Sequence, residues 1–547
     1  ANGDWSSDVC SSDLRNVTIV TCSKKQDVVL DFFGISEFVS KEVSVTVKLN
    51  QAQEIVSSSR LSAVVAKRFD GYVKGLQKPK TKKRFDDRVY RLLCEKTHNL
   101  SLVQDTKNYL DGMGYSQGLY DYKFIDAQIS NFQEEEIPSR LWNRSLRKAV
   151  QTVTAECRKA NLTSLKYKST ADIKDAIPRK DTHAGWSYII TGKRHKGEYI
   201  EDLLESTQFE IAQAKKVGSF NKPILIGTRN QAGGAFDENG DRTGTWKMKP
   251  RLVSMIDIHQ IMAETMFATP FTHWLSQQEW YAGGKDDTAI NAIVQKYRAI
   301  GYHMLTVDYS KYDQSITSWM IHVAFDIIKE SFHSDPNFDE ELFHIIRMDF
   351  IHKVFIDGTG QLRYASHGVP SGSMFTQIVD SIVNRVMILT YANAKKVRIH
   401  AMIIMGDDNL IFSVEQIDTK DLAGYLKRMF NAVVNDDKCS YTKPYGYPEF
   451  LSREWRPQGV YRKPEVLIMK AIYPENFRPY KKVADLSPEQ IIYAYYKTFP
   501  LGMAEIIDAN ELDRMRHRCT KGKIKKAMQW MTGIERYRAL YLDSRAA

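Results

Sequence analysis

The sequence predicts an α+β protein, mostly helical, built around a small antiparallel sheet. Three observations lead there. First, short apolar runs end in acids: "YHMLTVDYS" (302–310) reads as a buried strand running into Asp308, and "AMIIMGDDNLIFSV" (401–414) as two apolar arms about a polar turn. Second, longer segments with helical patterning flank them, among them "SITSWMIHVAFDIIKESF" (315–332), "SGSMFTQIVDSIVNRVMILTYANA" (371–394) and "DLAGYLKRMFNAVVN" (421–435). Third, 547 residues of which 43% are apolar are enough to bury a large core shared by several subdomains.

Bulk properties narrow the function classes. A net charge of +11 suits a polyanionic partner such as a nucleic acid, or a basic surface that serves only solubility. Cys10, Cys22, Cys94, Cys157, Cys439 and Cys519 are scattered with no C-x-x-C, which argues against a paired-cysteine zinc site and against a disulfide scaffold. A reducing compartment is the simplest expectation. No apolar run reaches membrane-spanning length, so no membrane partner is expected. The start, "DWSSDVCSSDL", repeats Ser-Ser-Asp without helical or strand periodicity and resembles a translated sequencing-adapter tail, so residues 1–14 are expected to be a non-native leader.

Two basic stretches follow. "KGLQKPKTKKRFDDR" (74–88) suits a solvated loop or an RNA contact. Between 217 and 255, "KPILIGT" and "WKMKPRLVSM" flank a tip rich in Gly, Asn and Asp, which predicts a long cationic hairpin. From about 456 onward the pattern is mostly helical and basic near its end.

The acids carry the chemistry. An isolated Gly-Asp-Asp is a turn. Asp308 and Asp407 at the ends of neighbouring strands, however, are hard oxygen donors suited to Mg2+ or Mn2+, and two such ions promote in-line phosphoryl transfer. Asp313 follows Asp308 by five residues. Thr376, Asp380 and Asn384, spaced by four, share one helix face, a polar set that suits ribose hydroxyls better than packing. Ser371-Gly372 precede that face, and glycine there permits close backbone approach.

The order D-x4-D, SG-x3-T, GDD resembles palm motifs A, B and C of viral RNA-dependent RNA polymerases. "GVPSGSMFTQIVDSIVN" resembles motif B of the partitivirus group, with the picobirnavirus group as near neighbour. The resemblance implies a right-hand fold of fingers, palm and thumb around an encircled active site. It implies an N-terminal extension and fingers at 15–180, fingers at 181–300, palm with an inserted fingers segment at 301–455, and thumb at 456–547. Two Mg2+ ions (Mn2+ as an alternative) would be held by Asp308 and Asp407, with Asp408 assisting. Asp313 would sense the 2′-hydroxyl, with Thr376, Asp380 and Asn384 near it. Ser371 and Gly372 would form a mobile loop beside the template–product duplex. Arg229, Lys249 and Arg251 resemble motif F, which grips the triphosphate; a solvated basic hairpin is the alternative. Thr182 and Gly185 in "DTHAGW" resemble motif G at the template entrance, or are an ordinary loop. Lys438 resembles the motif D proton donor, or is a surface lysine. "EFLSREW" (449–455) resembles motif E.

Two positions depart from the family pattern. Asn409 stands where many partitivirus enzymes have Ser, and its amide suits a tight turn. Asp380 stands where picornavirus enzymes have Asn. An ionised carboxylate cannot donate to an ionised Asp313, so Asp380 is paired elsewhere, one acid is protonated, or Asn384 takes over.

The expected partners are RNA template and product, ribonucleoside triphosphates and a viral capsid protein. The expected location is the virion interior or host cytoplasm, in a double-stranded RNA virus. A reverse transcriptase would keep the palm but place a bulky steric gate by the sugar. A non-enzymatic RNA-binding or capsid protein explains charge and size but not the gathered acids.

Overall fold

The computed structural model describes residues 63–78, 85–112, 115, 122–132, 143–236, 242–474 and 486–517. The leader at 1–14 and residues 79–84 of the first basic run lie outside them.

The central sheet has four antiparallel strands in the order Ile399–Met405, Asp408–Ser413, His303–Thr306, Ser440–Thr442. The middle residues of its three longer strands are apolar because both faces are covered, and successive side chains serve different cores. Leu305, Met402, Ile404 and Ile411 enter one cluster with the helices Arg144–Arg158, Ser318–Glu330 and Thr376–Lys395. Met304, Ile403, Leu410 and Phe412 enter another with the helices Asp287–Ile300, Pro464–Ile472 and Pro488–Thr498. A one-residue slip in any strand would exchange the two faces, so the register is strongly fixed.

A second sheet runs Arg242–Met255, Ile224–Phe236, Lys353–Ile356, Leu362–Ala365. The first two strands are the expected cationic hairpin, with Arg229 opposite Arg251 and Gln231 opposite Lys249. Its base joins Lys353–Ile356 in parallel through Leu225 and Ile356. A small third sheet, Gly459–Tyr461, Arg453–Arg456 and Glu449–Phe450, contains the "EFLSREW" stretch.

The described parts of the segment expected as N-terminal extension and fingers (15–180) pack in several places. Ala63–Gln77 packs through Phe69 and Val73 against Trp186, Leu225 and Ile356 beside the second sheet. Asp87–Lys96 and Leu100–Gly112 instead pack on the C-terminal helices, through Val89, Leu92, Leu93, Val103 and Leu110. Backbone bonds from Asp86 N to Ile472 O (2.7 Å) and His98 N to Ile506 O (3.2 Å) fasten that contact. Lys123–Asn131 returns to the hairpin side, where Ile125 and Ile129 meet Ile226 and Leu252. Among the described residues no helix is long and apolar enough to cross a membrane.

Candidate active site

Asp308 follows the strand His303–Thr306 and faces the open end of the central sheet, its side chain 42% exposed. Asn435 fixes it twice: its backbone N–H donates to Asp308 O (2.8 Å) and its side-chain amide to Asp308 Oδ2 (2.7 Å). The following turn, Asp436–Lys438, brings Lys438 Nζ to 3.9 Å from the same carboxylate oxygen. Lys438 therefore reaches the site rather than lying on a distant surface.

Gly406 and Asp407 form the turn between Met405 and Asp408, which pair directly. Gly406 has φ +68°, and a Cβ there would stand 2.8 Å from Gln377 Nε2. Three side chains hold this turn. Ser381 Oγ accepts from Gly406 N (2.9 Å). Asn384 Nδ2 donates to Gly406 O (2.9 Å) and Asp407 O (3.1 Å), and its Oδ1 accepts from Tyr309 (3.1 Å). Asn409 Oδ1 accepts from Val307 N (3.0 Å), and its Nδ2 donates to Val307 O (3.3 Å) and Asp407 O (3.4 Å). Asn409 thus ties the turn to the residue before Asp308, which is the structural role its amide suits. Asn384 has no exposed surface and uses both ends of its amide inside the protein. Its amide N–H groups are both spent on the turn.

The acids influence one another. Water reaches Asp407, yet the protein packed around the cleft disfavours its charge and raises its pKa; Arg251 opposes the rise and Asp308 adds to it. Asp313 is pushed up to about 7 by burial and by Asp407, with Arg251 opposing. Asp380 is 4% exposed, and burial, then Asp313 and Asp407, push it well above the carboxylate range. Among the described residues its Oδ1 has no hydrogen-bond partner. Of the alternatives left by the sequence, burial favours a protonated acid, with Asp380 holding the proton.

The remaining expected residues are placed as follows. Thr376 begins its helix and donates to Pro370 O (2.6 Å), closing the preceding loop. Ser371 is exposed but bonded to the hairpin strand, accepting from Ser254 N (3.1 Å) and donating to Leu252 O (3.2 Å). A Cβ on Gly372 would lie 1.8 Å from Ser254 O, so glycine is required by an approach to protein backbone. Arg251 acts on Asp313 and Asp407, so this cation does converge on the acids. The side chains of Arg229 and Lys249 lie outside the described residues. Gly185 is buried with φ +72°, and a Cβ there would meet Ile256 O at 2.4 Å. Thr182 donates to Arg179 O (2.8 Å) within its own loop. That loop is seated by Asp257, whose Oδ2 accepts from Ser187 N and Oγ, each at 2.7 Å.

Among the described residues no group of three or more His, Cys, Asp or Glu side chains stands ready as a metal cage. What is present is a pair, Asp308 just after one strand and Asp407 on the turn between two others, close enough for Asp308 to act on Asp407. That donor set fits Mg2+, which keeps waters and draws on one or two carboxylates plus substrate phosphates.

The family described as viral RNA-dependent RNA polymerase matches residues 118–467, well over half of the chain. The chain belongs to that family. An RNA-directed RNA polymerase of Cryptosporidium parvum virus 1 is 28% identical over 304 residues, covering 52% of this chain and 53% of that protein. The genome polyprotein of Human parechovirus 2 is 27% identical over 195 residues (34% of this chain), and the RNA1 polyprotein of Raspberry ringspot virus 26% over 190 (31%). The chain spans only 9% and 8% of those two polyproteins. The RNA-dependent RNA polymerase of a human picobirnavirus superposes with a TM-score of 0.62 at 13% identity, covering 87% of this chain and 96% of that one. At that identity the likeness is one of fold, and the fold is the right-hand polymerase fold, mostly helical with small antiparallel sheets. In this chain the central sheet carries the segments resembling motifs A and C on adjacent strands, with Asp308 just after one and Asp407 on the turn before the other.

Asn435, Ser381 and Tyr309 carry no expectation from the sequence, yet they hold the site. Ser381 was within reach, since it lies three residues before Asn384 on the same helix. Asn435 had no local signal.

Proposed function

We propose that this chain is the RNA-dependent RNA polymerase of a double-stranded RNA virus, adding ribonucleotides to a growing RNA 3′ end in transcription and genome replication. The observation that carries the reading is the nearness of Asp308 to Asp407, with Lys438 beside Asp308 and Arg251 acting on Asp407. Asp308 and Asp407 would hold two divalent ions, Mg2+ or Mn2+, with Asp408 assisting. Bound there, such ions supply charge neutralisation for an attacking 3′-hydroxyl and a departing pyrophosphate. Lys438 delivers a proton to the pyrophosphate side. Arg251, with Arg229 and Lys249 on the same hairpin, receives the triphosphate; the guanidinium fork suits phosphate oxygens. Asp313 faces the ribose, and a protonated Asp380 gives this face the O–H donor that two carboxylates would lack. Ser371 and Gly372 border the template–product strands, and Thr182 and Gly185 stand in the loop at the template entrance.

Residues 301–455 form the palm with its inserted fingers segment, 181–300 belong to the fingers and 456–547 to the thumb. Within 15–180, Asp87–Lys96 and Leu100–Gly112 join the thumb. RNA and ribonucleoside triphosphates are the substrates, a capsid protein is the partner, and the virion interior or host cytoplasm is the place of work.

The test uses the full chain with a single-stranded RNA template, Mg2+ and four ribonucleoside triphosphates. Asp407→Asn is expected to abolish synthesis while leaving RNA binding and melting temperature near those of the parent. Synthesis that survives in the folded variant overturns the metal assignment. Equal incorporation of deoxynucleotides overturns the ribose reading.

A further inference from the structure

The helix Ile258–Gln277 carries a carboxylate in the middle of the core. Glu264 has no exposed surface. Burying a carboxylate is strongly unfavourable unless donors surround it, and an apolar residue would suit this position better if packing were its only task. Its donors are specific. Ser373 Oγ and Met374 N both reach Oε2 at 2.8 Å, and Gln260 Nε2 reaches Oε1 at 3.3 Å. Two of the three belong to the loop that precedes the Thr376–Lys395 helix.

That loop is held on its other side by the strand Arg242–Met255, through Ser371 and the close approach of Gly372 to Ser254. Only Ile256 and Asp257 separate this strand from the helix of Glu264. One stretch of chain therefore grips the loop at both ends: strand on Ser371, helix on Ser373 and Met374. The strand also carries Arg251, the cation that acts on Asp407 and Asp313. Behind Glu264 lies Lys196, 9% exposed, whose charge acts on the carboxylate. Lys196 N donates to Thr182 O at 2.9 Å, so the loop proposed for the template entrance adjoins the same carboxylate. Burial pushes Glu264 up to about 7 and Lys196 down to about 8, so each charge is weakly held.

We propose that Glu264 is a positioning residue for nucleotide addition, latching the Ser373–Met374 end of the loop beside the RNA strands through its charged carboxylate. The proposal rests on the polymerase reading. The first addition to a bound primer end needs the acids of the central sheet. Every later addition also needs the strands to advance past the loop, so a loosened latch acts on elongation.

The experiment compares the full chain with Glu264→Gln, Ser373→Ala and the double variant on an annealed primer–template. It reads the first addition, the rate of later additions and the melting temperature. Each single variant is expected to keep the first addition within about twofold and to slow later additions about 10-fold, as weakening one hydrogen bond to a charged group implies. The double variant is expected to be no slower than the worse single, because both act on the Ser373–Glu264 hydrogen bond. Unchanged elongation, multiplicative losses, or a first addition that falls in step with melting temperature overturns the latch. Exchange protection of the Met374 amide is a readout independent of activity: Glu264→Gln lowers it, and unchanged protection also overturns the proposal. If the parent chain makes no RNA but that protection falls, the polymerase reading fails and the contact stands. Ser373→Ala decides alone should Glu264→Gln fail to fold.

Discussion

Asn409 offers the sharpest trial of how the metal-facing turn is built. It has no exposed surface and joins two strands through its side-chain amide. Asn409→Ala leaves the N–H of Val307, a residue 1% exposed, without the acceptor now at 3.0 Å. A buried donor stranded in this way costs about 1–3 kcal/mol. The amide's three donations, to Val307 O (3.3 Å), Asn384 Oδ1 (3.4 Å) and Asp407 O (3.4 Å), are long and add less. The expected local destabilisation is about 2–4 kcal/mol in all. That corresponds to a drop of about 30- to 1,000-fold in exchange protection at the Val307 amide. RNA synthesis should fall as well, because Val307 precedes Asp308 and the turn carries Asp407. Hydrogen exchange resolved at residues 305–308 and 405–410 measures the first effect, and nucleotide incorporation the second. Lost synthesis with unchanged protection at Val307 would refute the reasoning, since the effect would not pass through the strand-to-strand tie.

Gly372→Ala forces a Cβ to 1.8 Å from Ser254 O, so loop or strand must shift; synthesis should fall sharply with a stability loss of about 1–3 kcal/mol, read by incorporation and thermal melts. Lys438→Leu should slow single-nucleotide addition by about 100-fold with RNA affinity kept, and an unchanged rate would return Lys438 to the role of a surface lysine. Glu264 binds its proton more tightly folded than unfolded, its pKa rising from 4.5 to about 7 through burial. Its contribution to stability therefore declines as pH rises through that window, and Glu264→Gln should flatten this part of the pH dependence in melts between about pH 4.5 and 7.5.

Much of the central sheet was legible because alternation and abrupt acids are local signals. "YHMLTVDYS" and "AMIIMGDDNLIFSV" supplied strands, turn and acids at once. The cationic hairpin was legible from its turn formers. The partners of the turn were not, because the contact between Asn435 and Asp308 spans 127 residues and leaves no pattern in either segment. The polar face of Thr376, Asp380 and Asn384 was recognised as non-random, but periodicity says which residues share a face and not what they meet. Thr376 closes a loop, Asp380 is buried with no partner at Oδ1 among the described residues, and Asn384 holds the turn. Glycines gave a similar lesson. Gly372 was expected to permit close approach of RNA, whereas the atom that excludes a Cβ there is the backbone oxygen of Ser254; at Gly185 it is that of Ile256.

The packing of Asp87–Lys96 and Leu100–Gly112 on the C-terminal helices has a consequence for how the molecule is made. The hydroxyl of Thr97 bonds Ile506 O, 409 residues later. At about 5–20 residues per second, a ribosome needs roughly 20–80 s to supply that partner. For that interval Val89, Leu92, Leu93, Val103 and Leu110 have no C-terminal core to enter. The early helices are thus a waiting surface during synthesis, attractive to chaperones and to other nascent chains. Chains arrested before residue 464 should bind a chaperone through residues 85–112, and released full-length chains should not; equal binding by both would show that these helices find another cover first.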